Sequence, residues 1–578
     1  MNSAKDNEAR FDRNFFQSSR QYCSLGNGEF GAKANGLLFI KKFLDEKINH
    51  QDFPSIEIAI PKMVILSTEI FDLFIQRNNL FSKAIEEESD ENIVQLFLNA
   101  DFPAEFLGDL RGLIENVHVP LAIRSSSKLE DAKYEPFAGI YATKMISNNQ
   151  PDNDTRFHKL IEAIKFIYAS LFFKESKDYF EVSSHKIEEE KMAVIIQEVV
   201  GQKFNERFYP NISGVARSYN FYPIGRAKPE DGIVSLALGL GKTIVDGGIV
   251  WNYCPLYPNF TSPFADPKDL IRNSQNKFWA INLSHFIEYN PIKETEFMIQ
   301  ADLKDADYDD TLKFIASTYD ASLDKIIMGT GNDGPRIINF SPLLSMNEFK
   351  FNDLMKKIIK VADEAYNNPV EIEFAASIDQ RERKMKFGFL QVRPMVVSYE
   401  EVNLKDDELY QEEVLVASKK VMGNGKIDYI KDIVFVKPEK FDKKDTKQIA
   451  SQIAAINKKF VQDKKSYLLI GFGRWGSSDP WLGIPVEWGQ ISAAKVIVES
   501  TLFGINVELS QGSHFFHNLS SFGVSYFSIN FDGEFQIDWQ WLNNQKVIEE
   551  TEFVKHIQTE KPLTILIDGK TSRGVIKK

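Results

Sequence analysis

The sequence predicts an α/β or α+β protein of several domains. Three observations carry that expectation: a helical apolar stripe between Phe157 and Phe180, strict two-residue alternation from Asn368 to Val397, and strands interleaved with a helix from Ile433 to Ile470. In the stripe, Phe157, Leu160, Ile161, Ile164, Ile167 and Leu171 recur at the i, i+3, i+4, i+7 spacing of one buried helix face. A buried strand is expected at 192–200 (MAVIIQEVV), then a turn region near Ser213-Gly214 and a strand at 233–238 that ends in Gly239-Leu240-Gly241. In VEIEFA, Val370, Ile372 and Phe374 share one face while Glu371 and Glu373 share the other. In FLQVRP, Leu390 and Val392 oppose Gln391 and Arg393, so the two runs read as paired strands with one apolar and one polar face, joined by a solvated RERKMK tip. Residues 399–415 are acidic and polar and read as a linker into a second unit. That unit opens with a turn at Gly423–Gly425, followed by a strand at 433–436, a helix at 446–460, a strand at 467–470 and a Gly/Trp/Pro loop.

Length and composition narrow the function classes. At ~150 residues per domain, 578 residues make about four domains, or three large ones. The 82 acidic residues outweigh 69 basic ones, for a net charge of −13, and no strongly basic block occurs. Sequence-general nucleic-acid binding needs a cationic surface, so no nucleic-acid partner is expected. Cys23 and Cys254 are too few for a disulfide framework or a thiolate metal site. The N-terminal stretch lacks an apolar signal core, and no run approaches the ~18 apolar residues of a membrane span. The expectation is a cytoplasmic protein without a membrane partner.

Three segments could carry chemistry. Glu373, Gln391 and Arg393 project from paired strands flanked by apolar residues, where unpartnered charge is costly. Either they pair with one another as a structural network, or they meet a metal-bound polyphosphate. Carboxylate and amide oxygens suit Mg²⁺, and the guanidinium fork suits phosphate. The second segment is 121–143 (LAIRSSSKLEDAKYEPFAGIYAT), where a strand ends at Arg124 and runs into three serines, with Gly139 and Thr143 downstream. Such donors can wrap phosphate oxygens, although a Ser-rich surface turn fits equally. The third is LGNGEFGAKANGL, which places Lys33 in a Gly-rich run before a helix but lacks the GK[ST] tail of a P-loop.

In order and spacing these segments resemble the N-terminal ATP-binding region of the phosphoenolpyruvate synthase, pyruvate phosphate dikinase and rifampin phosphotransferase family. The matching pieces are Gly31-Ala32-Lys33-Ala34-Asn35, Arg124-Ser125-Ser126, Glu130-Asp131, Phe137-Ala138-Gly139 with Thr143, and Ala169-Ser170-Leu171-Phe172. They continue through Ile196-Gln197-Glu198-Val199-Val200, Ser213-Gly214-Val215-Ala216, Gly239-Leu240-Gly241, Glu371-Ile372-Glu373 and Leu390-Gln391-Val392-Arg393-Pro394. The resemblance spans roughly residues 20–397. It implies a two-lobed, ATP-grasp-like nucleotide-binding region, with an N-terminal lobe at 1–190, a C-terminal lobe at 191–398, the linker 399–415 and a smaller α/β domain at 416–578. It further implies that Lys33 and Arg124 hold the ATP phosphates, with close contacts from Gly139 and Thr143. Gln197 would lie near adenine and ribose, Glu373 and Gln391 would ligate Mg²⁺, and Arg393 would neutralise the transferring phosphate.

Several departures bear on function. Lys242 follows Gly-Leu-Gly where the family usually has an acid, and Ala32 and Ala34 replace usual glycines. The family's swivelling domain, with its phosphorylatable histidine, has no counterpart signature, and the last ~180 residues could not hold a ~250-residue barrel for a three-carbon substrate. The tail instead carries 471–481 (GFGRWGSSDPW) and 510–518 (SQGSHFFHN). His514, with His517 nearby, is a candidate phosphate acceptor, the alternative being hydrogen-bonded core histidines. Trp475, Trp481, Trp488, Trp539 and Trp541 read as packing residues. The leading expectation is therefore an ATP- and Mg²⁺-dependent phosphotransferase that acts on a histidine in its own tail, His514 first, or on a phosphohistidine-bearing partner. The alternatives are an ATP-binding regulatory or sensing module without turnover, and a purely structural protein.

Overall fold

The computed structural model describes residues 10–578 other than 13, 131–138, 183–184, 222, 224–225, 260–266, 273, 285–286, 396–401, 478, 480, 502–514, 516–518, 520–522, 532 and 570. Its first sheet has five strands, in the order Tyr22–Leu25, Met63–Leu66, Met192–Glu198, Leu121–Ser127, Thr143–Ile146. One face, bearing Val64, Leu66, Ile123, Val194 and Ile196, packs on a large helical layer. The longest helix of that layer, Asn153–Ser170, starts at Asp152, whose side chain accepts the Thr155 N–H at 2.7 Å. The expected helix from Phe157 to Phe180 is two helices. A tight turn at 171–173 separates Asn153–Ser170 from Lys174–Val182, and Asp90 accepts the Lys174 N–H at 2.8 Å to start the second.

The second sheet is ordered Trp251–Tyr253, Ile233–Ala237, Ile212–Arg217, Val370–Asp379, Lys384–Pro394, Ile56–Ala59. Val370, Ile372, Phe374, Ala376 and Ile378 line its apolar face, under the helices Gly31–Lys47 and Phe351–Tyr366. The two long strands form the expected hairpin, with a tip of four residues because Lys384 already belongs to the second strand. One detail differs from simple alternation. The register shifts after Glu373, so Glu373 pairs with Gln391 and Phe374 with Phe389, leaving Leu390 as an extra residue. Leu390 accordingly does not join Val392 in the core.

Sheet membership does not follow a division at residue 190. The strand Met192–Glu198 completes the first sheet, and Ile56–Ala59 edges the second. The stretch 402–415 is packed rather than extended, with a 3-10 turn at Asp406–Tyr410 and Leu404 and Leu409 buried. The C-terminal unit has a seven-stranded sheet whose centre, Ser525–Ile529, Ala494–Ser500, Tyr467–Phe472, Asp432–Val436, is parallel. The helix Thr446–Asp463 covers one face, and a four-stranded sheet contributes to the core on the other.

Candidate functional site

The cleft lies where the polar faces of the two main sheets approach each other, and its side chains are largely buried. On the first sheet, Arg124 and Gln197 point away from the helical layer by strand alternation, since Ile123 and Ile196 point into it. On the second, Arg217, Glu371 and Arg393 sit side by side on three neighbouring strands, with Glu373 and Gln391 paired one step along.

Arg124 joins the two faces. Its Nη1 donates to the Leu390 carbonyl at 2.8 Å and lies 3.4 Å from Gln197 Oε1. Its Nη2 donates to Gln391 Oε1 at 2.7 Å and to Glu373 Oε2 at 3.4 Å. Three candidates, Gln197, Glu373 and Gln391, from sequence separations of up to 267 residues thus converge on the Arg124 guanidinium. The Leu390 carbonyl is available because the bulge turns that residue out of the ladder.

Lys33 enters from the helix Gly31–Lys47. That helix starts where Gly31, at φ +74, lies against the end of the serine strand, and a Cβ there would come within 1.7 Å of the Ser126 carbonyl oxygen. Ser126 Oγ donates to the Phe30 carbonyl at 2.8 Å and accepts the Ala34 N–H at 3.1 Å. Lys33 Nζ sits 2.6 Å from Glu130 Oε1, and Ser125 donates to the same carboxylate at 3.0 Å. Glu190 is buried nearby, and burial pushes its carboxyl up to about 7.

Arg393 stands apart from the Arg124 cluster. Its Nε donates to Glu371 Oε1 at 2.8 Å, and Arg217 pairs with the other oxygen of that carboxylate. All three are at most 2% exposed, so the row holds two cations and one anion out of water. Thr143 pairs with Arg124 in strand register, and its N–H reaches Glu294 Oε1 at 3.1 Å. Gly139, at φ +73, is exposed. His514 and His517, with Asp131, Phe137 and Ala138, lie outside the described residues.

Residues 28–414 match the family described as pyruvate phosphate dikinase, AMP/ATP-binding domain, over more than half of the chain. The chain belongs to that family. No curated protein matches it. The AMP/ATP-binding domain is an ATP-grasp nucleotide-binding domain and marks a phosphotransferase-type ATP-binding module. The match runs past residue 397, to the start of the strand Val414–Ser418.

Within this ATP-binding domain, sequence reasoning missed Arg217, which lies two residues beyond Val215 on the same face. It also gave no role to Glu371, Glu130, Glu190 or Glu294. Lys242, the departure after Gly-Leu-Gly, lies 3.0 Å from Asp246 and 4.0 Å from Glu294. Burial pulls the Lys242 ammonium down, but the two carboxylates outweigh it and leave it above its ordinary value. No helix among the described residues is long and apolar enough to cross a membrane.

The residues fit a magnesium nucleotide on two observations. Gln197 Nε2 is buried and has no hydrogen-bond partner, leaving a donor for a ligand. Glu373, the more exposed end of the polar row, supplies one carboxylate beside the Gln391 amide oxygen. No group of three or more His, Cys, Asp or Glu that could hold a metal occurs among the described residues. Mg²⁺ takes one or two protein oxygens and completes its shell with phosphate and water, a demand that a carboxylate beside an amide oxygen can meet.

Proposed function

We propose that this protein is an ATP- and Mg²⁺-dependent phosphotransferase of the dikinase type, transferring phosphate to a histidine in its own tail or on a partner. The convergence of Arg124 with Gln197, Glu373 and Gln391 carries the reading. In it, Arg124 exchanges its carboxylate and amide contacts for phosphate oxygens, and Lys33 supplies a second cation from the helix that starts against the end of the same strand. Gln197 orients the adenine and ribose end with its free amide hydrogens. Gly139 and Thr143 contribute close backbone contacts. Glu373 and Gln391 would hold Mg²⁺, which when bound neutralises triphosphate charge. Arg393 adds its charge from within the Glu371 and Arg217 row, and a direct hold on phosphate would require that row to open. Phosphoryl transfer asks mainly for positioning and charge stabilisation, which such a set supplies. His514 is the first candidate acceptor, and a phosphohistidine-bearing partner is the other.

The engagement of Lys242 with Asp246 and Glu294 favours a second reading, an ATP-sensing module without turnover, because the acid usual at that position is replaced by a cation. Incubation with γ- and β-labelled ATP, with and without candidate partners, separates the two. Release of AMP with acid-labile phosphoprotein supports the phosphotransferase. Tight binding with neither product, indifferent to His514→Ala, supports the sensor.

A further inference from the structure

The loop after the strand Tyr467–Phe472 is assembled around one side chain. Gly473 and Gly476, both at φ +71, bracket the two-residue strand Arg474–Trp475. A Cβ at Gly483 would lie 1.9 Å from the Arg474 carbonyl oxygen, and one at Gly471 would lie 2.3 Å from the Trp475 ring. Four glycines thus serve one conformation, which presents Arg474 to the nucleotide-binding domain. Its Nη1 donates to the carbonyls of Gly247 at 2.7 Å and Gly248 at 3.1 Å, and the residue is 7% exposed.

Those carbonyls belong to the turn that follows Gly239-Leu240-Gly241 and the short helix Lys242–Val245. From there a chain of contacts leads to the cleft: Lys242 to Asp246 and Glu294, Glu294 to the Thr143 N–H, and Thr143 to its register partner Arg124. Behind Arg474, Glu499 is buried at the end of the strand Ala494–Ser500, bonded by the Tyr526 hydroxyl and the Trp475 backbone, with Arg474 and Lys420 as the charges bearing on it. The same unit also meets the other side of the cleft. A Cβ at Gly489 would lie 3.0 Å from Asp178 Cβ, and Ile484 and Trp488 share one continuous apolar cluster with Phe172.

We infer that the C-terminal unit is a clamp across the nucleotide-binding domain, and that Arg474 is its positioning residue, fixing the 247–248 turn in the posture that faces both walls of the cleft to one nucleotide. The ligand of this inference rests on the proposed ATP reading; the contacts do not. Arg124 already spans the cleft to Leu390 and Gln391 in this arrangement, so the clamp favours the closed form. By linkage, whatever the clamp adds to nucleotide binding, nucleotide returns to the clamp.

The test uses the full chain, Arg474→Ala and Arg474→Lys, with Mg²⁺ and ATP as the probe. Calorimetry reads affinity, and hydrogen exchange reads segments 243–250 and 471–477. Arg474→Ala is expected to weaken ATP binding about tenfold, a typical coupling, and to speed exchange at 243–250 without nucleotide. Arg474→Lys, which retains the charge without the fork, recovers part of both, and ATP slows exchange at 471–477 in the wild type. Unchanged affinity together with unchanged exchange at 243–250 in Arg474→Ala overturns the clamp. If even the wild type fails to bind ATP, the nucleotide reading falls and exchange at 243–250 alone decides: faster upholds the clamp, unchanged overturns it. If Arg474→Ala loses protection throughout the C-terminal sheet, Arg474→Lys carries the decision, partial loss of affinity upholding the clamp and wild-type affinity overturning it.

Discussion

The row Arg217, Glu371, Arg393 offers the sharpest quantitative prediction. Glu371 is 1% exposed and accepts from both guanidinium groups, one on each side strand. Glu371→Gln keeps the shape but removes the anion, leaving two buried cations facing a neutral amide. Removing one partner from a buried ion pair costs about 3–5 kcal/mol. For a lobe of roughly 200 residues, that lowers the melting midpoint by about 6–20 °C. Because the lobes need not unfold together, the assay is hydrogen exchange of Ile212–Arg217 and Val370–Asp379 in graded urea, which reads this sheet alone. The triple variant Arg217→Met/Glu371→Leu/Arg393→Met separates structure from chemistry, since replacing a whole buried network by apolar groups is often neutral or stabilising. It should regain most of the protection while losing affinity for Mg²⁺ and ATP. A loss below about 1 kcal/mol in Glu371→Gln would refute the electrostatic reasoning. Wild-type nucleotide affinity in the triple variant would remove Arg393 from the proposed site.

Glu373→Ala should leave the ligand-free melt within about 1 kcal/mol of wild type but abolish the nucleotide-dependent rise, which at a hundred times the dissociation constant is about 2.7 kcal/mol in the wild type. A retained rise in differential scanning fluorimetry would remove Glu373 from the metal site. Gly31→Ala forces a Cβ into the Ser126 carbonyl at a positive φ, so it should cost at least about 1–3 kcal/mol and weaken ATP binding through Lys33, checked by urea melts and calorimetry. Glu175 is pushed up to about 8 by burial first, then by Glu487, Asp90, Asp178 and Glu294. A carboxyl raised in the folded state stabilises most below its unfolded value, and that contribution is lost as pH rises through about 8. Melts across pH 4–9 should therefore show Glu175→Gln gaining on wild type as pH rises, with no gain at the acid end.

The hairpin was legible because a strand repeats every two residues, so Glu371, Glu373, Gln391 and Arg393 had to share a face. The expected strand end at Arg124 was wrong: the strand runs on to Ser127, and its three serines are buried and paired with Met192–Val194 rather than forming a turn. The convergence of Arg124 with Glu373 and Gln391 was not legible, because Arg124 meets Glu373 across 249 residues and no local pattern encodes that distance. The bulge at Leu390 also escaped, since it breaks the alternation from which the strand was read. The break after Ser170 depends on Asp90, which meets the second helix only in the folded chain. The glycines of 471–481 were visible as a motif, but their purpose follows only from φ values and from the close approach of Gly483, outside that motif, to Arg474.

Charge balance connects the two readings of the cleft. Along its walls, Lys33 is offset by Glu130, Arg124 faces Glu373, and Lys242 faces Asp246 and Glu294. The buried row beneath sets two guanidinium groups on one carboxylate. Charges interact strongly in a poorly hydrated setting, and Arg124 and Glu373 remain partly open beside that row. A triphosphate entering there meets cations whose partners can be exchanged. Binding and orientation of ATP therefore need no acid after Gly-Leu-Gly. Turnover is the more demanding function, because Lys242 must release Asp246 or Glu294 if it is to act on phosphate, and the balance between those contacts decides whether the cleft transfers or only senses.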